Sequence, residues 1–495
     1  MTTTSPKPRV DAVASTEVVD ALIEAVGGRD IDAANVPDTC WSQIPPLGLI
    51  AAGDAVRLPQ DAVDAFPMTS QQVSMAMQML LAATNRRRAS EPVPAYHNVA
   101  MCHLSVRVVD ADALRHAGRD MVATHEMLRS TLDLDTYSRP MQVVHADVEH
   151  DLVQVVDLRH LTELERQKRL ERFARDENAR AIDLMRAPVV SFTVHLLSET
   201  QLTLTITEPH AIADGWSTHL NIVELFERYT DAVSGSPHWL KKPGGAARAF
   251  ALRQHSAQQL WQLLTTADES WWHHYLAAPE GVVTAAEPGA YTWHDKLELG
   301  PADVERLERA ATAAGVGPKA VLLAVHLRAL ATLSDTETAM TGVTVNTRLA
   351  VEGGTDARGM FLNVVPLRSA LRSPGPELLR AVHRDLNEVT IRGRVPLSHL
   401  ARVLGRHIVP ESLFVYNSFH SIKGAADRFG IDSLEHVDDW SHTDFSFEAS
   451  FNRSEERSGH IVVLLFARES VYARDQALAA YRTAVDELAQ VGGRR

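Results

Sequence analysis

Cysteine is nearly absent from this sequence: Cys40 and Cys102 are the only two in 495 residues, and neither stands in a CxxC pair. That argues against a disulfide framework and against a cysteine-based zinc site, and leaves both as packing residues. Long hydrophobic runs are also missing. No apolar stretch approaches the ~20 residues that a membrane-spanning helix needs, so no membrane partner is expected. The opening MTTTSPKPRVDAVAST has positive charges but no apolar stretch after them, which does not read as a secretory signal and points to the cytoplasm. Positive charge is in the minority, with 49 basic residues against 63 acidic ones and a net charge of -14. Such a field repels polyanions, so nucleic acid is disfavoured as a partner. The one basic run, Asn85-Arg86-Arg87-Arg88, is short and reads as a solvated surface segment. No period of 20–50 residues recurs, which removes the solenoids.

What is present is an ordinary globular composition, 45% hydrophobic and 23% charged, on a chain too long for one core. Residues 1–60 read as an extension, with a short helical pattern at Val18–Val26 and a Pro-rich piece around Pro45-Pro46. The folded body begins near residue 61, where Phe66-Pro67-Met68-Thr69-Ser70-Gln71-Gln72 leads into a long helix that Thr69 or Ser70 can cap. Strands are expected at 99–108, 140–145, 152–157, 189–197 and 201–207, with helices over 112–125 and 161–180. A first α/β lobe therefore covers 61–235. Residues 236–290 carry helical stretches at 257–264 and 270–277 and a turn at 278–281, and read as a bridge. A second α/β lobe, 291–495, holds helices at 301–314, 318–333 and 474–491 and strands near 291–299, 338–345, 361–368, 412–420, 443–452 and 460–466.

The stretch TLTITEPHAIADGWS, residues 203–217, concentrates the chemistry. Leu204 and Ile206 alternate with Thr203, Thr205 and Thr207, the mark of a strand with two different faces. Pro209 ends the ladder, so His210 stands where the strand stops. Ser217 can then cap a helix whose inward face would be Leu220, Val223 and Phe226. A histidine so placed can take a proton from an amine or a hydroxyl near neutral pH. Asp214 could pair with an arginine and fix the loop. Gly215 permits a sharp turn and lets a backbone N–H approach a reacting centre. Together they suit acyl transfer. The His-to-Asp spacing of four also fits two metal ligands, but nothing nearby completes a set, so no metal is expected.

His210-x-x-x-Asp214-Gly215 resembles the HHxxxDG signature of the condensation-domain superfamily of nonribosomal peptide synthetases. Other segments resemble that family in the same order. They are Phe66–Gln72; Thr124-His125-Glu126-Met127-Leu128-Arg129-Ser130-Thr131; Val155–Leu158; Glu269-Ser270-Trp271-Trp272-His273-His274-Tyr275-Leu276; Gly342–Arg348; and Gly359-Met360-Phe361-Leu362-Asn363-Val364-Val365-Pro366-Leu367-Arg368.

The resemblance implies an α/β fold of two chloramphenicol-acetyltransferase-like lobes in a V with a central tunnel. It implies His210 as base and Gly215 beside the reacting centre, an Asp214–Arg348 ion pair that is structural, and Trp216, Ser217 and Asn363 along the tunnel. Tyr416-Asn417-Ser418-Phe419-His420 are further guesses at its lining or, equally, core. The implied activity is that of a stand-alone acyltransferase of natural-product biosynthesis, making an amide or an ester. It would bind no cofactor of its own: the acyl donor would arrive on the phosphopantetheine of an acyl or peptidyl carrier protein, or on coenzyme A, and the acceptor would be a small-molecule nucleophile. One position departs from the family: Pro209 stands where the first motif histidine belongs. Single-histidine HxxxDG acyltransferases keep the base at the second position. The alternative is an inactive docking module that recruits a carrier protein or a tailoring enzyme.

Overall fold

The computed structural model of the chain describes residues 47, 50–86, 97–235, 266–277, 291–351, 353–405, 410–417, 431–440, 445–453 and 459–491. Cys40, the helices expected at 18–26 and 257–264, the turn at 278–281, Arg87, Arg88, Ser418, Phe419 and His420 lie outside the described residues. Two compact units emerge: Met1–Thr265 with Arg348–Phe361 and Ala426–Ser441, and Thr266–Thr347 with Leu362–Ala425 and His442–Arg495. The first break falls inside the 236–290 stretch read as a bridge. Two later segments count with the first unit although the sequence reading placed all of 291–495 in one lobe.

In the first unit, strands β1 (Ala62–Pro67), β3 (Ser130–Asp133) and β4 (Met141–His145) form a small antiparallel sheet in the order β1-β4-β3. The main sheet is built from β2 (Asn98–Val106), β5 (Val153–Asp157), β6 (Ser191–Leu196), β7 (Gln201–Glu208) and β12 (Ile431–Trp440). Its order is β12-β2-β7-β6-β5, and only the β5/β6 pair is parallel. Helix α1 (Ser70–Arg86) starts at the expected place: Thr69 Oγ1 accepts from Gln72 N–H at 3.2 Å while Gln72 Oε1 accepts from Thr69 N–H at 2.9 Å, a reciprocal cap. Helix α2 (Ala111–Thr124), capped by Asp110, buries Leu114, Ala117, Met121 and Val122. Helix α3 (Glu163–Ala179) carries the charged pattern on a capping box of Thr162 and Glu165. Strand β12 was not anticipated. Its sequence, IDSLEHVDDW, spaces its apolar residues by three (Ile431, Leu434, Val437, Trp440) with four acidic residues between them, which hides it from a search for strand alternation.

The second unit holds β8 (Trp293–Leu299), β9 (Thr338–Asn346), β10 (Leu362–Ala370), β11 (Ser412–Asn417), β13 (Phe447–Arg453) and β14 (Ile461–Ala467). They form one mixed sheet in the order β10-β9-β11-β13-β14-β8. A helix at Gly215–Ser234, α4, is the last described element of the first unit's amino-terminal segment, and α5 (Thr266–Leu276) opens the second unit. Helices α6 (Pro301–Ala314), α7 (Pro318–Ser334), α8 (Gly375–Ile391), α9 (Leu397–Val403) and α10 (Arg474–Ala489) complete it. Helix α7 is buried nearly all round, and its His326 lies 2.9 Å by Nε2 from Thr341 Oγ1, with Nδ1 facing the Tyr481 hydroxyl. Complete burial pushes that imidazole down to about 3, so it is a neutral core group. Helix α8 was not anticipated either. It opens on Pro374-Gly375-Pro376, which reads as loop, although proline is well tolerated in a first helical turn. No single helix among the described residues is long and apolar enough to cross a membrane.

Candidate active site

Strand β7 occupies the middle of the first unit's main sheet, and the alternation in TLTIT does not separate a wet face from a dry one. Thr203, Thr205 and Thr207 are as buried as Leu204 and Ile206, because both faces are covered. Thr203 Oγ1 meets His103 Nδ1 at 2.7 Å. The ladder ends at the pair Asn98 and Glu208, as the proline requires. The chain then makes a turn in which Ile212 N–H donates to Pro209 O at 3.0 Å, with Ala211, Ile212 and Ala213 fully buried. His210 is half-buried on this turn. Its Nδ1 lies 3.3 Å from Ala213 O, and the Asn98 side-chain amide lies 2.9 Å from Nε2 and 3.4 Å from Nδ1.

Asp214 caps α4, a role the sequence reading gave to Ser217. The Asp214 carboxylate accepts from Ser217 N–H at 2.8 Å, and Ser217 is the third residue of the helix. Arg348 reaches the same carboxylate with both terminal nitrogens, Nη1 to Oδ2 at 2.8 Å and Nη2 to Oδ1 at 2.9 Å. Phe361 N–H adds a bond at 3.1 Å, and the guanidinium carbon stands 4.4 Å from the Phe361 ring centroid. Asp214 is 0% exposed and the Arg348 side chain 5%, so the pair is shut away from water and planar bidentate geometry is what makes it tolerable there. Neither side chain is available to a reacting group. Asp214 N–H donates to Gly359 O at 3.1 Å, tying the loop to the segment 348–361 a second time. A Cβ on Gly359 would come 2.8 Å from the Phe361 ring, so the close approach needs glycine there.

Of the inward face expected for α4, Leu220, Val223 and Phe226, only Phe226 is buried. Leu220 and Val223 are half-exposed, and the buried positions are Ser217, Asn221, Glu224, Leu225, Phe226 and Tyr229. The face is polar because it meets charged groups from 348–361. Glu224 Oε2 accepts from His125 Nε2 at 2.7 Å and from Arg358, and Oε1 from Arg228 at 2.8 Å. Burial raises the Glu224 carboxyl, but the His125 bond and charge, together with the charges of Arg358 and Arg228, outweigh it and hold it at about 2. His125 is itself lowered, first by burial and then by the same two guanidiniums, with Glu224 opposing.

Gly215 is the first residue of α4, so its N–H lies at the positive end of that helix. Trp216 is half-exposed and donates from Nε1 to Thr355 O at 2.9 Å. Ser217 and Asn363 do not present the open surface expected of tunnel-lining groups. Ser217 is fully buried, with its hydroxyl 2.7 Å from Asp214 Oδ1 and accepting from Gly359 N–H at 3.0 Å. Asn363, in the second unit, is buried and donates to Gly393 O at 2.7 Å and Val395 O at 2.6 Å. Both hold backbone in place. Tyr416 and Asn417 lie in β11, half-buried. Among the described residues no group of His, Cys, Asp or Glu could hold a metal ion.

The family profile described as Condensation domain matches residues 74–490. The chain belongs to the condensation-domain family. It is 30% identical over 382 residues to AMB antimetabolite synthetase AmbE from Pseudomonas aeruginosa, a match covering 76% of this chain and 17% of that protein. This chain therefore spans about a sixth of that relative's length. Among solved structures it is similar to the first condensation domain of the calcium-dependent antibiotic synthetase in complex with a substrate analogue. There the TM-score is 0.68 at 20% identity, covering 88% of this chain and 97% of the other. The starter condensation domain of rhizomide synthetase RzmA, solved with C8-CoA and Leu-SNAC, gives a TM-score of 0.69 at 15% identity over 87% of this chain and 95% of that one. These likenesses establish the chloramphenicol-acetyltransferase-like α/β fold. In this condensation domain Asp214 of the motif meets Arg348, 134 positions on in sequence, while His210 meets Asn98. Sequence reasoning missed Asn98, Glu224 and Arg358, and named Gly359 only as part of a family-like segment. The only signal for Arg358 was its place beside the Gly359–Arg368 motif, and Asn98 and Glu224 carry no motif of their own.

Proposed function

We propose that this condensation domain is an acyltransferase that forms an amide or ester, passing an acyl or aminoacyl group from a thioester to an amine or hydroxyl of a small-molecule acceptor. The donor assigned is the phosphopantetheine of an acyl or peptidyl carrier protein. Coenzyme A is the other donor of the same chemistry, and C8-CoA is bound by the rhizomide starter domain. Biosynthesis of a secondary metabolite is the setting suggested by the relation to an antimetabolite synthetase.

The observation that carries the reading is the state of His210. Ala213 O, which only accepts, lies 3.3 Å from Nδ1, so the ring proton belongs on Nδ1 and Nε2 is the basic nitrogen. The acceptor's lone pair attacks the thioester carbonyl as its proton passes to Nε2. Negative charge that develops on the carbonyl oxygen is met by the positive end of α4, where Gly215 N–H is the donor assigned to it. Collapse of the tetrahedral centre breaks the C–S bond, and the leaving thiolate takes the proton back from His210. No covalent enzyme intermediate is required. Asp214 and Arg348 act only by holding the turn.

The test is His210→Ala with a carrier-loaded or coenzyme A thioester and candidate acceptors, product being read by mass spectrometry. A loss of at least ~100-fold in turnover is expected with the fold unchanged. Full turnover in a folded His210→Ala protein would sink the reading. Pro209, in place of the first motif histidine, favours a second reading in which the domain recruits a carrier protein or a tailoring enzyme. Binding of a carrier protein without turnover of any thioester is the result that selects it.

A further inference from the structure

In the second unit, β11 and β13 run parallel, and their register sets Val415 beside Ser450 and Asn417 beside Asn452 on one face of the sheet. Across β13 the same face continues to Leu464, opposite Ser450, and to Val462, opposite Asn452. The other face, which carries Phe414 and Phe451, is fully buried, whereas Val415, Asn417, Asn452, Val462 and Leu464 are half-exposed. We infer that this half-exposed face, at the carboxyl ends of β11 and β13, binds the substrate's acyl group, and that Asn417 selects an aminoacyl group by accepting a hydrogen bond from its amine. The inference rests on the proposed acyl transfer and deepens it: of the acyl and aminoacyl groups named there, it assigns the aminoacyl.

Three observations support it. Asn417 Nδ2 donates to Asn452 Oδ1 at 2.8 Å, and Asn452 Nδ2 donates to Ser450 O at 3.1 Å. A backbone carbonyl only accepts, so Ser450 O fixes the direction of both amides and leaves Asn417 Oδ1 as the open end of the relay. Among the described residues nothing donates to that oxygen, and an amine can, whether or not it is protonated. Next, the groups beside the relay on this face are apolar, namely Val415, Val462 and Leu464. An aliphatic body with one placed polar contact is what such a lining takes. Finally, β11 pairs with β9 only through Leu413 with Gly342 and Phe414 with Val343, so Val415–Asn417 has a strand on one side alone. The next strand of this sheet after β9 is β10, on its outer side, and after β11 it is β13, on the far side. Adjacent parallel strands that part in this way leave a crevice at their carboxyl ends, the place where open α/β sheets take ligands.

Binding is read without an acceptor, and so without turnover, by ligand-observed NMR titration of the full chain with two thioesters of N-acetylcysteamine. The leucyl thioester carries the amine, and the 4-methylpentanoyl thioester has the same carbon skeleton without it. The wild type is expected to bind the leucyl thioester about tenfold more tightly, the yield of one hydrogen bond to an acceptor that the protein leaves open. Asn417→Leu keeps the size of the side chain and is expected to abolish the preference, weakening the leucyl thioester and favouring the other. Asn452→Ala leaves Asn417 in place but frees its amide to turn, and is expected to reduce the preference to about threefold. Equal affinities in the wild type, no binding by either thioester, or the full preference kept in either variant overturns the inference. Wild-type turnover in His210→Ala would overturn the reading of the base instead and leave these affinities standing.

Discussion

Replacing Asp214 by alanine should cost stability and not chemistry, and the size of the cost follows from what the carboxylate holds. It accepts from Ser217 N–H, from both Arg348 terminal nitrogens and from Phe361 N–H, with the Ser217 hydroxyl 2.7 Å away. Its loss strands the Arg348 guanidinium, whose side chain is only 5% exposed, and breaking such a buried pair costs about 3–5 kcal/mol. The same substitution removes the cap of α4, about 1 kcal/mol more, although the two losses overlap. A total of about 4–5 kcal/mol corresponds to a fall of roughly 10 °C in the melting transition of a unit this size. Calorimetry of Asp214→Ala, followed by near-UV circular dichroism, measures it. The double variant Asp214→Ala/Arg348→Met removes the stranded charge and is expected to recover about half of the loss. His210→Ala, lacking any such role, is expected to melt like the wild type. Asp214→Ala melting within about 2 °C of the wild type, with the double variant no different, would refute the account of the pair as the scaffold of the loop.

Two other outcomes follow from neighbouring groups. Glu224 is held at about 2 against 4.5 for the ordinary carboxyl, so the stability it contributes is complete above pH ~4.5 and is lost as the pH falls toward 2. The contribution is about 3 kcal/mol. Urea midpoints measured from pH 6 downward should fall steeply in the wild type and much less in Glu224→Gln, which starts lower because Arg358 and Arg228 lose their carboxylate; parallel curves would contradict this. Pro209→His restores the histidine pair of the family signature while keeping the carbonyl that accepts from Ile212 N–H. With His210 as the proposed base, turnover is expected to stay within about threefold. A gain of tenfold or more would assign part of the reaction to the added imidazole.

The elements built on apolar periodicity were legible: β7, α2, α6 and α7 lie within a few residues of where the spacing of their hydrophobic residues put them. What escaped was polar for a structural reason. Strand β12 mixes four acidic residues with apolar ones spaced by three, and the inner face of α4 sets Ser217, Asn221 and Glu224, which meet Arg358 and Gly359, beside the apolar Leu225 and Phe226. The same holds for the site. The motif names His210 and Asp214, but Asn98 is brought to the ring by strand register across 112 positions, and single-sequence spacing carries no trace of register.

The dependence of the first unit on Arg348–Phe361 and Ala426–Ser441 also fixes an order of events during synthesis. A ribosome that has released residue 265 has made every strand of the main sheet except its edge, yet Asp214 still lacks its arginine and Glu224 lacks Arg358. At about 5–20 residues per second, the 134 positions separating Asp214 from Arg348 take on the order of ten seconds. For that interval the nascent motif loop is an unfinished structure with an uncompensated acid at its centre. A fragment ending near residue 265 would be frozen in that state, so the motif turn cannot be cut out with the amino-terminal half alone.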